Sequence, residues 1–186
     1  EESLRLLDSA VRHASDAVVI TTADIDRPGP QILYANPAFT TITGYALEDV
    51  LGRSPRVLQG PETTAAFRAS VRAALSHGEA FEGETTNYRK DRTPYSVELH
   101  ISPVRDGRGR ITRFVAIQRD VTSRNRFERM LRQKTQLIET ISHAQTEFIE
   151  DGVPRAVFGR LLKQILAITS SEYGFIGEAH RDPDGQ

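Results

Sequence analysis

The sequence predicts an α+β domain, and three features of the chain indicate this class. Two β-branched, apolar stretches, residues 17–23 and 31–36, flank a loop rich in proline and glycine. A middle segment, 37–75, carries short helical patterns that glycine and proline interrupt. Three further strand-like stretches complete the order at 80–90, 93–105 and 110–122. Two strands, a helical middle and three strands together predict a sheet with accompanying short helices.

The N-terminal residues predict a short amphipathic helix before the first strand. Apolar residues recur at helical spacing within residues 3–14, namely Leu4, Leu7, Val11 and Ala14. The two strands that follow are expected to pair as an antiparallel hairpin across the loop at 24–30.

Turn-forming residues mark the ends of the middle and later elements. Residues 63–75 give the clearest helical pattern, with Phe67, Val71 and Leu75 on one face. Turn chemistry at 91–92 and 106–109 then predicts two hairpin connections between the last three strands.

Composition and charge narrow the function classes. The 186 residues are 38% apolar and 26% charged, as in an ordinary globular protein. The net charge of −1 provides no long-range field for nucleic acid or an anionic membrane. Neither a membrane-spanning run nor a signal peptide is evident in the sequence. We therefore expect a cytoplasmic protein that binds neither nucleic acid nor membrane.

The residue types that carry catalysis are sparse. Cysteine is absent, which excludes disulfides, thiolate metal sites and cysteine nucleophiles. The five histidines have no partners at spacings typical of a metal site. No catalytic set is visible either, so we expect a chain that is not itself an enzyme and holds no metal.

Residues 124–150 predict a long helix with a narrow apolar stripe. The stripe follows alternating three- and four-residue steps through Phe127, Met130, Lys134, Leu137, Ile141, Ala144 and Phe148. This spacing is typical of a dimeric coiled coil, which would make the chain a homodimer. A single amphipathic helix lying on the domain's own sheet is the alternative interpretation.

Three motifs in the domain carry a family resemblance. They are GRSPRVLQGPETT at 52–64, NYRKDRTPYSVEL at 87–99 and FVAIQRDVT at 114–122. Residues 16–123 resemble a PAS domain, specifically its light-oxygen-voltage (LOV) branch, which binds flavin mononucleotide (FMN). The resemblance implies a five-stranded antiparallel sheet with short helices on one face.

The resemblance also implies a set of flavin contacts. Arg56 and Gln59 match positions that hold the phosphate and the ribityl chain, and Arg72 matches a second phosphate-binding arginine. Asn87 matches a ring-edge asparagine, and Gln118 matches the glutamine at the reactive edge. The ring would be walled by Val19, Thr21, Phe39, Leu58, Leu99 and Ile101.

Three positions depart from the family pattern. Ser54 stands where the family has asparagine, and Pro55 replaces the cysteine that forms the covalent flavin adduct. Val97 replaces the second ring-edge asparagine. Loss of the thiol at position 55 prevents the adduct but leaves the cofactor contacts unaffected. Valine at position 97 leaves a polar edge of the flavin ring unpaired, which costs about 1–3 kcal/mol. FMN, the dinucleotide FAD or no cofactor therefore all remain open.

The C-terminal residues resemble a different sensory family. Residues 153–186, with SEYGFIGE as the most telling part, are similar to the opening helix and strand of a GAF domain. The predicted organisation is a cap helix at 1–15, the PAS/LOV domain at 16–123, a coiled-coil linker at 124–150 and a GAF-like start at 151–186.

These features favour a sensory input module that passes a signal to a C-terminal effector domain. Blue light, cellular redox state or both would be sensed through reduction of the flavin ring. A PAS domain without cofactor, serving only in dimerisation and relay, is the main alternative, and a flavoenzyme is a third.

Overall fold

The computed structural model describes residues 2–26, 29–151 and 154–174. The chain divides into two compact units, residues 1–125 and 126–186. The first unit contains the sheet, and the second contains most of the long helix predicted from the apolar stripe.

The first unit is an α+β domain built on one five-stranded antiparallel sheet, as the sequence predicted. Its strands are β1 (Ala17–Thr22), β2 (Ile32–Ala35), β3 (Phe81–Tyr88), β4 (Pro94–Arg105) and β5 (Ile111–Asp120). The spatial order is β2-β1-β5-β4-β3, and every neighbouring pair is antiparallel. The last strand in sequence is therefore the central strand of the sheet.

Short helices fill the remainder of the unit. They are α1 (Glu2–His13), α2 (Pro37–Thr43), α3 (Leu47–Val50), a 3₁₀ turn called η1 (Pro55–Leu58) and α4 (Ala65–Ser76). Side-chain caps begin several of them: the side chains of Asn36, Ser54 and Thr64 each accept a hydrogen bond from a backbone N–H of the following turn. These caps explain why helices begin at these positions despite the short segments.

The predicted hairpin turns between the last three strands are present. Arg92 has a φ of 68° in the first turn, and Gly109 has a φ of 78° in the second. Asp91 and Asp106 each accept hydrogen bonds from backbone N–H groups two residues on, which closes the turns.

One face of the sheet forms the core. Val19, Phe39 and Leu58 belong to a buried cluster, and Ile101 and Phe114 belong to a second cluster. Ala116 on the central strand packs against both clusters and links them. The alternation of buried and less buried residues along β1 shows the period of two that places one side of a strand inward.

The N-terminal helix is anchored to this core by one polar side chain. Asn36 is 1% exposed, and its Nδ2 atom donates to the carbonyls of Val11 (2.9 Å) and Asp16 (3.0 Å). Its Oδ1 atom accepts from the backbone N–H groups of Val18 (2.9 Å) and Phe39 (3.2 Å). A single carboxamide therefore joins the end of α1, the start of β1 and the start of α2.

Two helices account for most of the described part of the second unit. Helix α5 (Thr122–Asp151) begins in the first unit and continues into the second, where α6 (Pro154–Thr169) follows. Phe127, Met130 and Ile141 of the apolar stripe are exposed in the single chain. The side chains of Ala144 and Phe148 lie outside the described residues, as does most of the predicted GAF-like strand.

Within the part of the chain that the structure describes, no helix combines the length and the apolar character needed to cross a membrane.

Candidate functional site

The strand registers bring the ring-wall residues predicted on strands to one face of the sheet. Gln118 on β5 lies opposite Ala17 on β1 and Leu99 on β4. Ala116, two residues away, lies opposite Val19 and Ile101. Because directly opposed residues of antiparallel strands share a face, these side chains line the same side of the sheet. Thr21, opposite Phe114, extends this face at the other end of β1 and is 4% exposed.

The predicted ring-edge positions lie on the same face, on β3 and β4. Asn87 on β3 is directly opposite Tyr95 on β4, and Val97 is opposite both Thr85 and Asp120. Asn87 is 8% exposed and Val97 is fully buried. The position that the family fills with asparagine is therefore an interior position, and the valine there offers no polar atom.

Gln118 is a buried polar residue on the central strand. Its side chain is 4% exposed, and its Oε1 atom has no hydrogen-bond partner in the described chain. Buried side-chain oxygens in folded proteins nearly always have partners, because an unpaired acceptor costs about 1–3 kcal/mol. An orphaned acceptor on a mainly apolar face is what a polar ligand would be expected to satisfy.

Tyr95 presents the same situation beside Asn87. Its side chain is 1% exposed, and no group in the described residues accepts a hydrogen bond from its hydroxyl. Burial raises the pKa of Tyr95 to about 12, while the nearby Asn87 side chain and Arg89 act in the opposite direction. The hydroxyl therefore stays protonated near neutral pH and can donate a hydrogen bond.

The two arginines predicted to bind phosphate converge on one segment of the chain. Nη2 of Arg56 donates to the Ile25 carbonyl at 3.2 Å, and Nη1 of Arg72 donates to the same oxygen at 3.4 Å. Nη2 of Arg72 also forms an ion pair with Oδ1 of Asp26 at 2.5 Å. Arg72 is about half exposed, so this pair contributes little to stability. Two guanidinium groups that share one oxygen acceptor can also share a phosphate.

The turn that carries Arg56, residues 54–60, is fixed by its cap and lies against Tyr88 of β3. Ser54 caps η1 through its side chain, Pro55 occupies the first position of the turn, and Leu58 is 1% exposed. Gln59 ends the turn and is partly buried. Gly60 follows against the ring of Tyr88, and a Cβ atom there would lie 2.3 Å from that ring. This close approach requires glycine and holds the segment against the sheet.

The remaining predicted ring-wall residues are also brought together. Phe39 on α2 is fully buried and packs in the same cluster as Val19 and Leu58, while Leu99 packs beside Ile101 in the second cluster. All the predicted contacts except Ser54, Arg56, Gln59 and Arg72 thus lie on, or pack against, one face of the sheet.

Sequence reasoning missed a charged cluster at the end of this face. Nη2 of Arg89 pairs with Oδ2 of Asp120 at 2.7 Å, and both side chains are only about a quarter exposed. The guanidinium of Arg89 lies 4.6 Å from the centre of the Tyr95 ring, and its Nη1 atom donates to the Ile42 carbonyl. Strand spacing alone gave no signal for this cluster, since its members come from α2, the residue after β3, β4 and β5.

Asp120 connects the cluster to the long helix. Its Oδ1 atom accepts from the backbone N–H of Thr122 at 2.9 Å, where α5 begins. Burial opposes ionisation of Asp120, but hydrogen bonds from Thr122 and Arg89 outweigh burial and lower its pKa. The carboxylate is therefore charged near neutral pH, when it holds both the arginine and the helix start.

A surface cavity of about 350 Å³ lies between the end of α2 and the β3–β4 turn. It is lined by Thr41, Ile42, Thr43, Gly44, Arg89, Lys90 and Asp91. Its two cations are already paired, Arg89 with Asp120 and Lys90 with Asp49. This cavity is not lined by any of the predicted flavin contacts.

The single five-stranded sheet with short helices on one face defines the class of fold. A family model described as PAS domain matches residues 15–123. The chain belongs to the PAS domain family, and its fold is that of the LOV type.

Two known proteins illustrate this likeness. Phototropin-2 of Oryza sativa subsp. japonica is 43% identical over 100 residues, which are 54% of this chain and 11% of that protein. A blue-light-activated histidine kinase of Rhizobium johnstonii is 33% identical over 135 residues, covering 73% of this chain and 39% of the kinase. The chain thus spans well under half the length of either relative.

A solved structure matches over nearly its whole length. It is described as "Flavin Analogue Sheds Light on Light-Oxygen-Voltage Domain Mechanism", with 32% identity and a TM-score of 0.58. The match covers 73% of this chain and 96% of that chain.

Proposed function

We propose that this chain is a flavin-binding LOV sensory module that responds to blue light or redox state without a covalent adduct. The observation that carries the proposal is the orphaned Oε1 atom of Gln118, buried on the apolar face of the sheet. When bound, flavin would supply absorption of blue light and a reducible ring. The chain's own residues would bind it, orient it and respond to its protonation state.

The phosphate end of the ligand would be held by the two arginines. Arg56 and Arg72 already share the Ile25 carbonyl, so their guanidinium groups lie close enough to share one anion. Asp26 competes for Arg72, and its ion pair would have to open or rearrange for a phosphate to enter. Single-phosphate FMN fits this arrangement, and FAD is the alternative that the same arginines could accommodate.

The reactive edge of the ring would be contacted by Gln118. A carboxamide can present either its oxygen or its NH₂ group, so this residue can answer a change of protonation by rotating its amide. With Pro55 in place of cysteine, and no cysteine anywhere in the chain, a thiol adduct is chemically impossible. Signalling would therefore depend on hydrogen bonding at the ring, and Gln118 is the group placed to respond.

Output would follow β5 into α5. Gln118 is separated from Thr122, the first residue of α5, by three residues, one of which is the helix-holding Asp120. The exposed apolar stripe of α5 would pair with a second copy of the chain and carry the change to a C-terminal effector in the full-length protein.

The alternative is a PAS domain that relays signals without a cofactor. Val19, Phe39 and Val97 are fully buried, and a core closed by such side chains favours this alternative. Under it, Gln118 would be a tolerated cost in the core rather than a ligand contact.

The first experiment is the visible absorption spectrum of the purified protein, followed by heat release and identification of any chromophore. A structured blue band with FMN in the supernatant is the expected result. Colourless, folded protein that free FMN and FAD cannot colour would overturn the proposal and leave the relay function.

The arginines provide the sharper test, because riboflavin lacks the phosphate of FMN. Replacing Arg56 and Arg72 together by alanine should weaken FMN binding about 100-fold, since each charge-assisted hydrogen bond contributes about 1.5 kcal/mol or more. Riboflavin affinity should stay within about threefold. Titration of apoprotein followed by fluorescence quenching measures both constants.

Arg113→Ala is the matched control, because Arg113 is an exposed arginine on β5 whose Nη1 atom donates only to the adjacent Thr112 carbonyl. It should leave both affinities unchanged. Equal losses for FMN and riboflavin in the double variant would mean that the arginines support the fold and do not read a phosphate.

A further inference from the structure

Tyr95 carries the second orphaned atom of the domain. Among the side chains that the structure describes, two buried polar atoms lack a hydrogen-bond partner, the Tyr95 hydroxyl and Oε1 of Gln118. The glutamine is accounted for by the proposed flavin site, whereas the tyrosine is not. A buried donor without an acceptor costs about 1–3 kcal/mol, so a hydroxyl that is 1% exposed and donates to no described group is a position that a ligand acceptor would satisfy.

The register places this hydroxyl beside the valine that departs from the family pattern. Tyr95 and Val97 are two residues apart on β4, so both face the inner side of the sheet. Asn87 is directly opposite Tyr95 and diagonal to Val97. Diagonal neighbours on one face are about 7–8 Å apart, which lies within reach of an aromatic side chain. The three residues therefore form one patch at the end of the inner face.

The tyrosine ring is also held in place. Arg89 covers it at 4.6 Å from the ring centre, and Arg89 is itself fixed by Asp120 and by the Ile42 carbonyl. A fixed ring fixes the position of its hydroxyl, which is the condition for a directional contact with a ligand.

We propose that the Tyr95 hydroxyl donates a hydrogen bond to a carbonyl oxygen on the pyrimidine edge of the flavin, in place of the hydrogen bond that valine at position 97 cannot make. This inference rests on the proposed function, because it specifies a ligand contact within the same site. The pyrimidine edge of any flavin bears two carbonyl acceptors, so a donor beside Asn87 completes a pair of contacts to it. Tyrosine thereby takes over part of the role of the missing asparagine from a neighbouring position.

The test is Tyr95→Phe, measured with FMN on the apoprotein. The variant should bind FMN roughly three- to tenfold more weakly, as expected when one hydrogen bond is removed. The melting temperature of the apoprotein should stay the same or rise, because the variant removes an unpaired buried hydroxyl. These opposite directions separate a ligand contact from a structural role, which would lower both quantities.

The matched control is Tyr34→Phe on β2. Tyr34 is paired with Ile20, whose position alternates with the inward-facing Val19 and Thr21, so the control makes the same chemical change away from the inner face. Neither FMN affinity nor the flavin spectrum should change in this variant.

A double-variant cycle with Val97→Asn tests whether the two positions share a role. If Tyr95 substitutes for the missing asparagine, Tyr95→Phe should cost at most about twofold once Val97→Asn is present. Infrared spectra with ¹³C-labelled FMN give an independent measure, since removal of a hydrogen bond raises the stretching frequency of the carbonyl concerned. The upward shift is expected in Tyr95→Phe and not in Tyr34→Phe.

The outcomes separate the inference from the function on which it rests. If wild-type protein binds no flavin, the proposed function fails. If wild-type protein binds FMN, but Tyr95→Phe leaves the affinity and both carbonyl frequencies unchanged, the inference alone is wrong. The inference is also wrong if the Tyr95→Phe apoprotein melts at a lower temperature with no carbonyl shift, because the hydroxyl would then serve a contact within the protein.

Discussion

Two buried carboxamides in this domain lie in opposite circumstances. Asn36 is 1% exposed and makes four hydrogen bonds to the backbones of α1, β1 and α2. Gln118 is 4% exposed, and its oxygen has no partner in the described chain. The same functional group is thus used once to join elements and once, in our proposal, to meet a ligand. Burial alone does not distinguish these uses, whereas hydrogen-bond satisfaction does.

The largest effect should come from the satisfied amide. Asn36→Ala leaves the Val18 N–H and the Val11 and Asp16 carbonyls without this partner, while the Phe39 N–H keeps the backbone carbonyl of residue 36. We therefore expect a loss of about 3 kcal/mol in the free energy of unfolding. Urea denaturation of the apoprotein measures it. A loss below about 1 kcal/mol would show that water or backbone shifts replace these bonds readily. Asn36 and Gln118 would then not differ in their contribution to stability.

A smaller effect is expected at the charged cluster, and it depends on pH. The pKa of Asp120 is lowered in the folded state, so its stabilising contribution is present above the unfolded value, about 3.9, and is lost as pH falls through the folded value. Asp120→Asn should cost about 1–2 kcal/mol at pH 7 and progressively less as pH falls below about 4.

Urea denaturation of wild type and Asp120→Asn at pH 7, 5 and 3 measures how the cost of the substitution depends on pH. Asp106→Asn is the control, because Asp106 is an aspartate in an exposed turn. Asp106 also has a lowered pKa, caused first by the backbone hydrogen bond from Arg110, but it does not contact the inner face. A cost for Asp120→Asn that stays constant with pH would mean that the carboxylate charge is not what holds Arg89 and the start of α5.

The smallest change in stability should come from the unsatisfied amide. Gln118→Leu removes an orphaned acceptor from an apolar face, so the apoprotein should be as stable as wild type or more stable by up to about 1 kcal/mol. Flavin should still bind, and the light- or reductant-induced change in the flavin-loaded dimer should be abolished. Small-angle scattering before and after illumination or reduction measures that change.

An unaltered response in flavin-loaded Gln118→Leu would contradict the proposed route through β5. Substantial destabilisation of its apoprotein would instead mean that Gln118 is a satisfied structural residue, and would remove the contrast with Asn36.

Local patterns were sufficient to predict the strands and the main helices. The period of two along β1 and the turn residues near Asp91 and Gly109 are short-range signals, and the corresponding elements are present within a few residues of the predicted bounds. The gathering of the ring-wall residues onto one face also agrees with the motif resemblance. Their role as ligand contacts stays a prediction until flavin is measured.

The residues that the sequence failed to single out are those whose roles depend on distant neighbours. Asn36 precedes a short helix and reads as an ordinary cap, yet two of its four bonds reach residues 20 and 25 positions away. In the sequence, Arg89 is a charged residue near a turn with no further signal. It forms an ion pair with Asp120 because β3 and β5 both flank β4.

The sequence by itself determined the class of fold, the absence of a thiol and the substitution at Val97, because these follow from residue identity and local periodicity. The tertiary structure decided which polar groups are satisfied. It brought Asn36 to four backbone partners and left Tyr95 and Gln118 with orphaned atoms on the same apolar face. The physical reason is that hydrogen bonding and desolvation depend on groups that the chain brings together from far apart in sequence, and no local pattern records them.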